Sequence, residues 1–182
     1  MVFKEKELNL KDGRKCVLRS VDSKDAAEMI EYLRLVSRES KFLTRYADEI
    51  NIIIEDEEKF IENKRNAPRE LMMAADVEGV FAGICSIITK GDMRRVWHRC
   101  DFSIALKQEF CDAGLGTEMV EYAMCLAKEL GYEQVELGVI EGNNRAKHLY
   151  EKIGFTQMGK VLNAIKYDDG SYRDEFLMVK LL

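Results

Sequence analysis

The stretch Cys111-Asp112-Ala113-Gly114-Leu115-Gly116-Thr117 carries the densest chemical signal in the chain, because two closely spaced glycines end a strand-like run and open an amphipathic helix. The first turn of a helix leaves main-chain N–H groups without internal partners, and the helix dipole places partial positive charge at the same end. Gly114 and Gly116 add no β-carbon, so a bulky anion such as a diphosphate can come close to the main chain. The dipole contributes about 0.3 to 1 kcal/mol, whereas a hydrogen bond to a charged group is worth roughly 1.5 to 3 kcal/mol. In such a site the amides therefore do most of the binding. The spacing is neither Gly-x-Gly-x-x-Gly nor a P-loop, which continues into Gly-Lys-Ser/Thr. On the glycines alone, a plain turn into a helix stays open as the other reading.

The elements that must hold this loop follow from the pattern on either side of it. Leu115, Met119, Tyr122, Ala123, Leu126 and Leu130 recur at intervals of three and four, and Gly131 supplies a stop, so a helix follows the loop. Before the loop, Leu71 to Asp76 and Val80 to Thr89 read as an antiparallel pair joined at Glu78-Gly79, and a third strand is expected from about Arg94 to Leu106. After the helix, Gln134 to Val139 reads as a strand entering from it, hence parallel to the strand before the loop. Asn143 to Ile153 has a short helical pattern closed by Gly154, and two extended segments flank a turn at Asp168-Asp169-Gly170-Ser171.

At the start of the chain, Asp12-Gly13 joins a hairpin beginning near Glu7, Asp22 and Ser23 cap a helix bearing Ala26, Met29, Ile30, Leu33 and Val36, and a second helix from about Glu55 to Asn66 ends before Pro68. Lys41 to Ile54 is expected to be a loop with a short helical turn. The predicted fold class is α/β (α+β): a single domain, 1–182, with a mixed, mainly antiparallel sheet flanked by helices and one parallel crossover at the glycine loop.

Composition narrows the function classes. A net charge of −5 argues against nucleic acid as a partner and favours cationic ones such as amines. The basic and aromatic cluster Arg94-Arg95 with Trp97-His98-Arg99 alternates as a strand with one solvated face would. The five cysteines are never spaced Cys-x-x-Cys, which with two histidines points to reduced, structural thiols and no metal. No apolar run approaches the ~18 residues that a membrane span requires, and the first residues lack a signal-peptide core, so a cytoplasmic protein without a membrane partner is expected.

Two strings are similar to those of the GNAT superfamily of N-acetyltransferases, and the resemblance runs from about residue 14 to the C-terminus. The family's cofactor loop, Gln/Arg-x-x-Gly-x-Gly/Ala, reads here Cys111-x-x-Gly114-x-Gly116, with Cys111 in place of the usual first residue. Asn143-x-x-Ala146-x-x-Leu149-Tyr150-x-Lys152-x-Gly154-Phe155 matches the family's second string position by position. The strand His98 to Leu106 resembles the family's central strand, splayed at its end against the pantetheine arm.

The resemblance implies acetyl-CoA as cofactor, bound by residues 111–117 with Ile104, Ala105, Leu106 and Asn143, and direct acetyl transfer to a primary amine, with a non-catalytic acyl-CoA sensor as the alternative. It further implies that the Leu106 amide polarises the thioester carbonyl and that Tyr150 protonates the departing sulfur. Asn143 would hold the cofactor or the tyrosine loop, or else cap its helix. An alkylammonium, with a pKa near 10, is neutral to about one part in a thousand at pH 7, so a base is needed. Asp101 stands where related strands often carry an acid, with His98, Glu136 or water as alternatives. The acceptor site would lie between Arg34–Tyr46 and Asp169–Asp174, whose acidic residues suit a cationic amine, and the oligomeric state, a homodimer included, is left open.

Overall fold

The computed structural model describes residues 1–182. An opening hairpin, β1 (Lys6–Asn9) and β2 (Lys15–Ser20), turns at Asp12-Gly13, where Gly13 takes φ +88 and Asp12 Oδ1 accepts from the Arg14 N–H at 3.1 Å. A short 3₁₀ turn at Ser23–Asp25 then leads into α1 (Ala26–Glu39), with Asp22 and Asp25 forming a reciprocal cap. Arg19 anchors this entry by bridging Asp25 at 2.6 Å and Asp76 at 2.5 Å. A loop with one 3₁₀ turn separates α1 from α2 (Ile54–Asn66), which ends ahead of Pro68 because proline cannot donate to the preceding turn.

The strands β3 (Leu71–Val77), β4 (Val80–Thr89) and β5 (Arg99–Leu106) form an antiparallel meander. Then come α3 (Leu115–Glu129), β6 (Gln134–Ile140), α4 (Asn144–Ile153) and the final hairpin β7 (Thr156–Lys166) and β8 (Tyr172–Leu181). All eight strands share one sheet in the order β1-β2-β3-β4-β5-β6-β8-β7. The β5–β6 pair is parallel, and every other pair is antiparallel.

The third strand starts five residues later than its alternation suggests. Val96 N–H donates to Met93 O and Arg99 N–H to Val96 O, so residues 93–98 close on themselves in turns before the strand begins. The basic-aromatic cluster there is partly held from outside: Arg69 stacks on Trp97 and Tyr132, 4.9 and 4.1 Å from the ring centroids, and donates to Trp97 O.

Helices cover both faces of the sheet. On one face α3 and α4 bury Leu115, Met119, Val120, Ala123 and Tyr150 against Cys100, Phe102, Leu137 and Val139. On the other, α1 and α2 bury Met29, Tyr32, Val36 and Ile61 against Met72, Ala74 and Phe81. Each such large apolar side chain contributes about 1.5 to 3 kcal/mol by leaving water, which fixes α3 firmly enough to present its N-terminus at a set place on the sheet.

Candidate active site

The parallel ladder between β5 and β6 has three residue pairs, Arg99↔Gln134, Cys100↔Val135 and Asp101↔Glu136, and then the strands part. A cleft of about 1200 Å³ fills the gap and runs from the α3 mouth past Tyr150 to the segment after α1. That is above the roughly 300 to 1,000 Å³ of a pocket for a drug-sized ligand.

The glycine loop forms one end of the cleft. Gly114 is the N-cap of α3 with φ +89, and Asp112 is also left-handed with φ +67, so the loop curls its amides toward the opening. The N–H groups of Gly114, Leu115, Gly116 and Thr117 donate to no protein acceptor. Ala113 and Leu115 turn their side chains into the core and offer main chain alone. A β-carbon on Gly116 would meet Leu149 at 3.3 Å and Leu106 at 3.6 Å, so the space over this residue is already narrow.

Three cations stand around the loop, and of them only Lys152 belongs to a string singled out in the sequence. Lys11, from the tip of the opening hairpin, lies along Gly114, and its N–H donates to Ala113 O at 3.1 Å. Lys152 and Arg145 come from α4. Arg145 reaches Cys111 Sγ at 3.0 Å and Asp112 at 3.5 Å, so a guanidinium stands beside the position where Cys111 replaces the usual polar side chain. Burial pushes the Cys111 thiol up, which keeps it protonated. Free amides, glycine clearance and three nearby cations together fit the diphosphate of an acyl-CoA.

Along the cleft, β5 offers a second set of donors. Lys107 N–H donates to Ala82 O on β4, and donation alternates along an antiparallel strand, so Ile104 and Leu106 direct their amides to the opposite side, toward the departing β6. Ala105 lines the cleft, but its carbonyl accepts from the Tyr32 hydroxyl at 2.7 Å.

Tyr150 is 6% exposed, with its ring edge-on to Phe102 and Phe155 at centroid distances of 6.4 and 5.7 Å. Its hydroxyl has no protein partner. Among fully buried side-chain oxygens and nitrogens Glu57 Oε1 alone is unpartnered, so the phenolic oxygen opens on the cleft. Burial pushes the phenol well above its usual range, and it stays a proton donor. Asn143 Oδ1 accepts from Ala146 N–H at 3.3 Å; the side chain caps α4, the second of the two roles expected for it, while the residue still borders the cleft.

Asp101, the base expected from the sequence, stands apart from the cleft. It lies outside the cleft wall, in the paired part of the strand, with Lys90 Nζ at 2.5 Å. Lys90 also reaches Glu136 at 3.3 Å, and Arg99 holds Glu136 at 2.5 Å. Hydrogen bonds from Arg99 lower the Glu136 carboxyl to about 2, so it accepts no proton near neutral pH. His98 is likewise off the cleft, at the opposite end of β5 from Leu106. Inside the cleft stands a carboxylate with no mark in the sequence patterns, Glu175 of β8, together with Gly138 of β6. An isolated glycine inside the apolar run Leu137-Gly138-Val139 was the available signal, since such a residue often marks close approach of another group.

A sequence model described as the Acetyltransferase (GNAT) family matches residues 31–155, more than half of the chain. The chain belongs to this family. The crystal structure of an acetyltransferase of the GNAT family from Streptococcus pneumoniae superposes with a TM-score of 0.86 at 30% identity, covering 92% of this chain and 99% of that one. A ribosomal-protein-alanine N-acetyltransferase from Brucella melitensis shares the fold at a TM-score of 0.79 and 19% identity, covering 91% and 99% of the two chains. Spermidine N(1)-acetyltransferase of Escherichia coli (strain K12) is 26% identical over 110 residues, which are 60% of this chain and 57% of that relative. The match thus spans little more than half the length of that curated relative. No helix is long and apolar enough to cross a membrane, and no group of metal-binding side chains occurs in this GNAT fold.

Proposed function

We propose that this GNAT protein transfers the acetyl group of acetyl-CoA directly to a primary amine. The observation that carries the reading is one cleft with free helix-mouth amides at one end and an unpartnered phenol, Tyr150, on its wall. Acetyl-CoA supplies an acetyl group activated as a thioester. Residues 114–117 hold the diphosphate, with Lys11, Arg145 and Lys152 adding charge, and the Ile104 and Leu106 amides orient the arm and polarise the carbonyl. A positioned amide of this kind is worth about 3 kcal/mol in a dry site. Tyr150 gives its proton to the leaving sulfur; a thiol has a pKa of about 8.5, so the transfer relies on alignment rather than driving force.

The acceptor enters from the face that carries α1, where the segment following that helix meets the last hairpin: Tyr167 donates to Lys41 O at 2.8 Å, and Asp168 N–H donates to the Tyr46 hydroxyl at 3.0 Å. A cationic amine suits the net charge of the chain, and the spermidine relative supports that class. A thiol-release assay with acetyl-CoA and a panel of amines, spermidine and peptide α-amines included, tests the proposal. Turnover with at least one amine is expected. Tight coenzyme A binding with no thiol release from any amine would instead identify a sensor.

A further inference from the structure

Glu175 is a carboxylate inserted into the sheet where a side chain has been left out to make room. A β-carbon built on Gly138 would fall 1.9 Å from Glu175 Oε1 and 2.6 Å from its Cδ, so the carboxylate lies directly over the Gly138 main chain. Register puts Glu175 opposite Ile140 and places Gly138 opposite Leu177 on β8. Both residues border the cleft where β6 has left β5. The carboxylate is half-buried, and it neither forms an ion pair with the protein nor accepts one of its hydrogen bonds. Every other acid placed for chemistry is already engaged: Asp101 with Lys90, Glu136 with Arg99, and Glu39 with the Gln108 N–H at 2.8 Å.

Strand parity gives the position its meaning. Leu137 and Val139 point to the face that holds Tyr150, and side chains alternate along a strand, so Gly138, and Glu175 over it, belong to the opposite face, that of α1. An acid and a base on opposite sides of the β5–β6 gap are what acyl transfer between two separately bound partners requires. The charged groups bordering the cleft on the Glu175 side are Arg38, Glu39 and Lys41 at the end of α1. Nearest in the sheet are Arg173 and Asp174 on its own strand, Glu141 beyond β6, and Lys160 on β7, which is paired with Asp174.

We infer that Glu175 receives the acceptor's ammonium group and takes its proton, with Gly138 positioning the carboxylate; this rests on the acetyl-transfer reading. The ammonium gives one proton to Glu175, directly or through one water. The freed lone pair forms the C–N bond as the C–S bond breaks, the sulfur takes the phenolic proton of Tyr150, and the surplus proton on nitrogen returns by way of water to the tyrosinate. Glu175 then releases its proton to solvent, so the products are the amide, the thiol and one proton.

Glu175→Gln keeps size and removes the charge, and Gly138→Ala leaves Glu175 in place chemically but drives its flexible end off the cleft wall. With spermidine as probe, both variants should bind coenzyme A as the parent does by calorimetry. Each should lose roughly a hundredfold in kcat/KM at neutral pH. The deficit should shrink as pH rises toward the amine's own pKa, because a larger share of the amine is then already neutral. The double variant should be no worse than either single one. Calorimetric binding of spermidine to the coenzyme A complex should also weaken in Glu175→Gln. A Glu175→Gln rate equal to the parent's at neutral pH, or a deficit of equal size at every pH, would overturn the assignment. If the parent binds coenzyme A but releases no thiol with any amine of the panel, the acetyl-transfer reading falls, and the spermidine calorimetry alone then decides whether Glu175 is a cation receptor.

Discussion

Replacing Tyr150 with phenylalanine separates chemistry from architecture unusually cleanly here. The phenol ring packs edge-on against Phe102 and Phe155, and phenylalanine keeps both contacts. The hydroxyl donates to no protein atom, so its removal breaks no internal hydrogen bond. The stability change should therefore stay within about 0.5 kcal/mol, the scatter typical of neutral substitutions. Catalysis should respond very differently. Loss of a general acid typically lowers rate by 10² to 10⁴, and the lower bound corresponds to about 2.7 kcal/mol of barrier at 1.36 kcal/mol per decade. The assays are thiol release for turnover, calorimetry for coenzyme A affinity and a thermal melt for stability. Parent-like turnover with intact affinity would refute the acid assignment, and a melt lowered by many degrees would show the hydroxyl to be structural.

Gly116→Glu should abolish coenzyme A binding, since Leu149 and Leu106 leave little room over this residue and a carboxylate would face the phosphates; normal affinity by calorimetry would contradict the phosphate site. Asp101→Asn should leave the pH–rate profile unchanged, because Asp101 sits with Lys90 outside the cleft; an alkaline shift would restore it as a base. Arg19→Ala should destabilise by about 3 kcal/mol in urea unfolding, because it strands Asp25 and Asp76 without their shared cation. Glu136 binds its proton at about 4.5 when unfolded and about 2 when folded, so its contribution is complete above about pH 4.5 and is lost as pH falls to about 2. Glu136→Gln should flatten the urea midpoint over that window, and an unchanged slope would deny the Arg99 partnership.

What could be read from residues alone was whatever is local. Helix α3 declares itself through its apolar stripe and its glycine stop, and the hairpin at Asp12-Gly13 through its turn residues. Alternation places the start of β5 too early because strands and consecutive turns share it, and only the bonds from Val96 and Arg99 distinguish them. The placement of Asp101 escapes the sequence for a related reason. Asp101 and Ser103 share a face of β5, yet Ser103 borders the cleft while Asp101, two residues earlier, is still opposite Glu136; the point at which the strands part is not encoded in either one. Lys11, Arg145 and Glu175 meet the site from the first hairpin, from α4 and from β8, and such distant convergence leaves no spacing to recognise.

The three-pair seam between β5 and β6 is where the sheet is weakest, for it is all the ladder that ties strands β1–β5 to strands β6–β8. A molecule lying along the rest of that seam would act as mortar between two slabs. Ligand present at a hundred times its dissociation constant adds about 2.7 kcal/mol to the resistance of a protein to unfolding. Here that gain should be felt first in the exchange of the Ile104 and Leu106 amide hydrogens, which point away from β4 into the cleft. On the acetyl-transfer proposal, the stiffness of this protein should rise and fall with its supply of acyl-CoA.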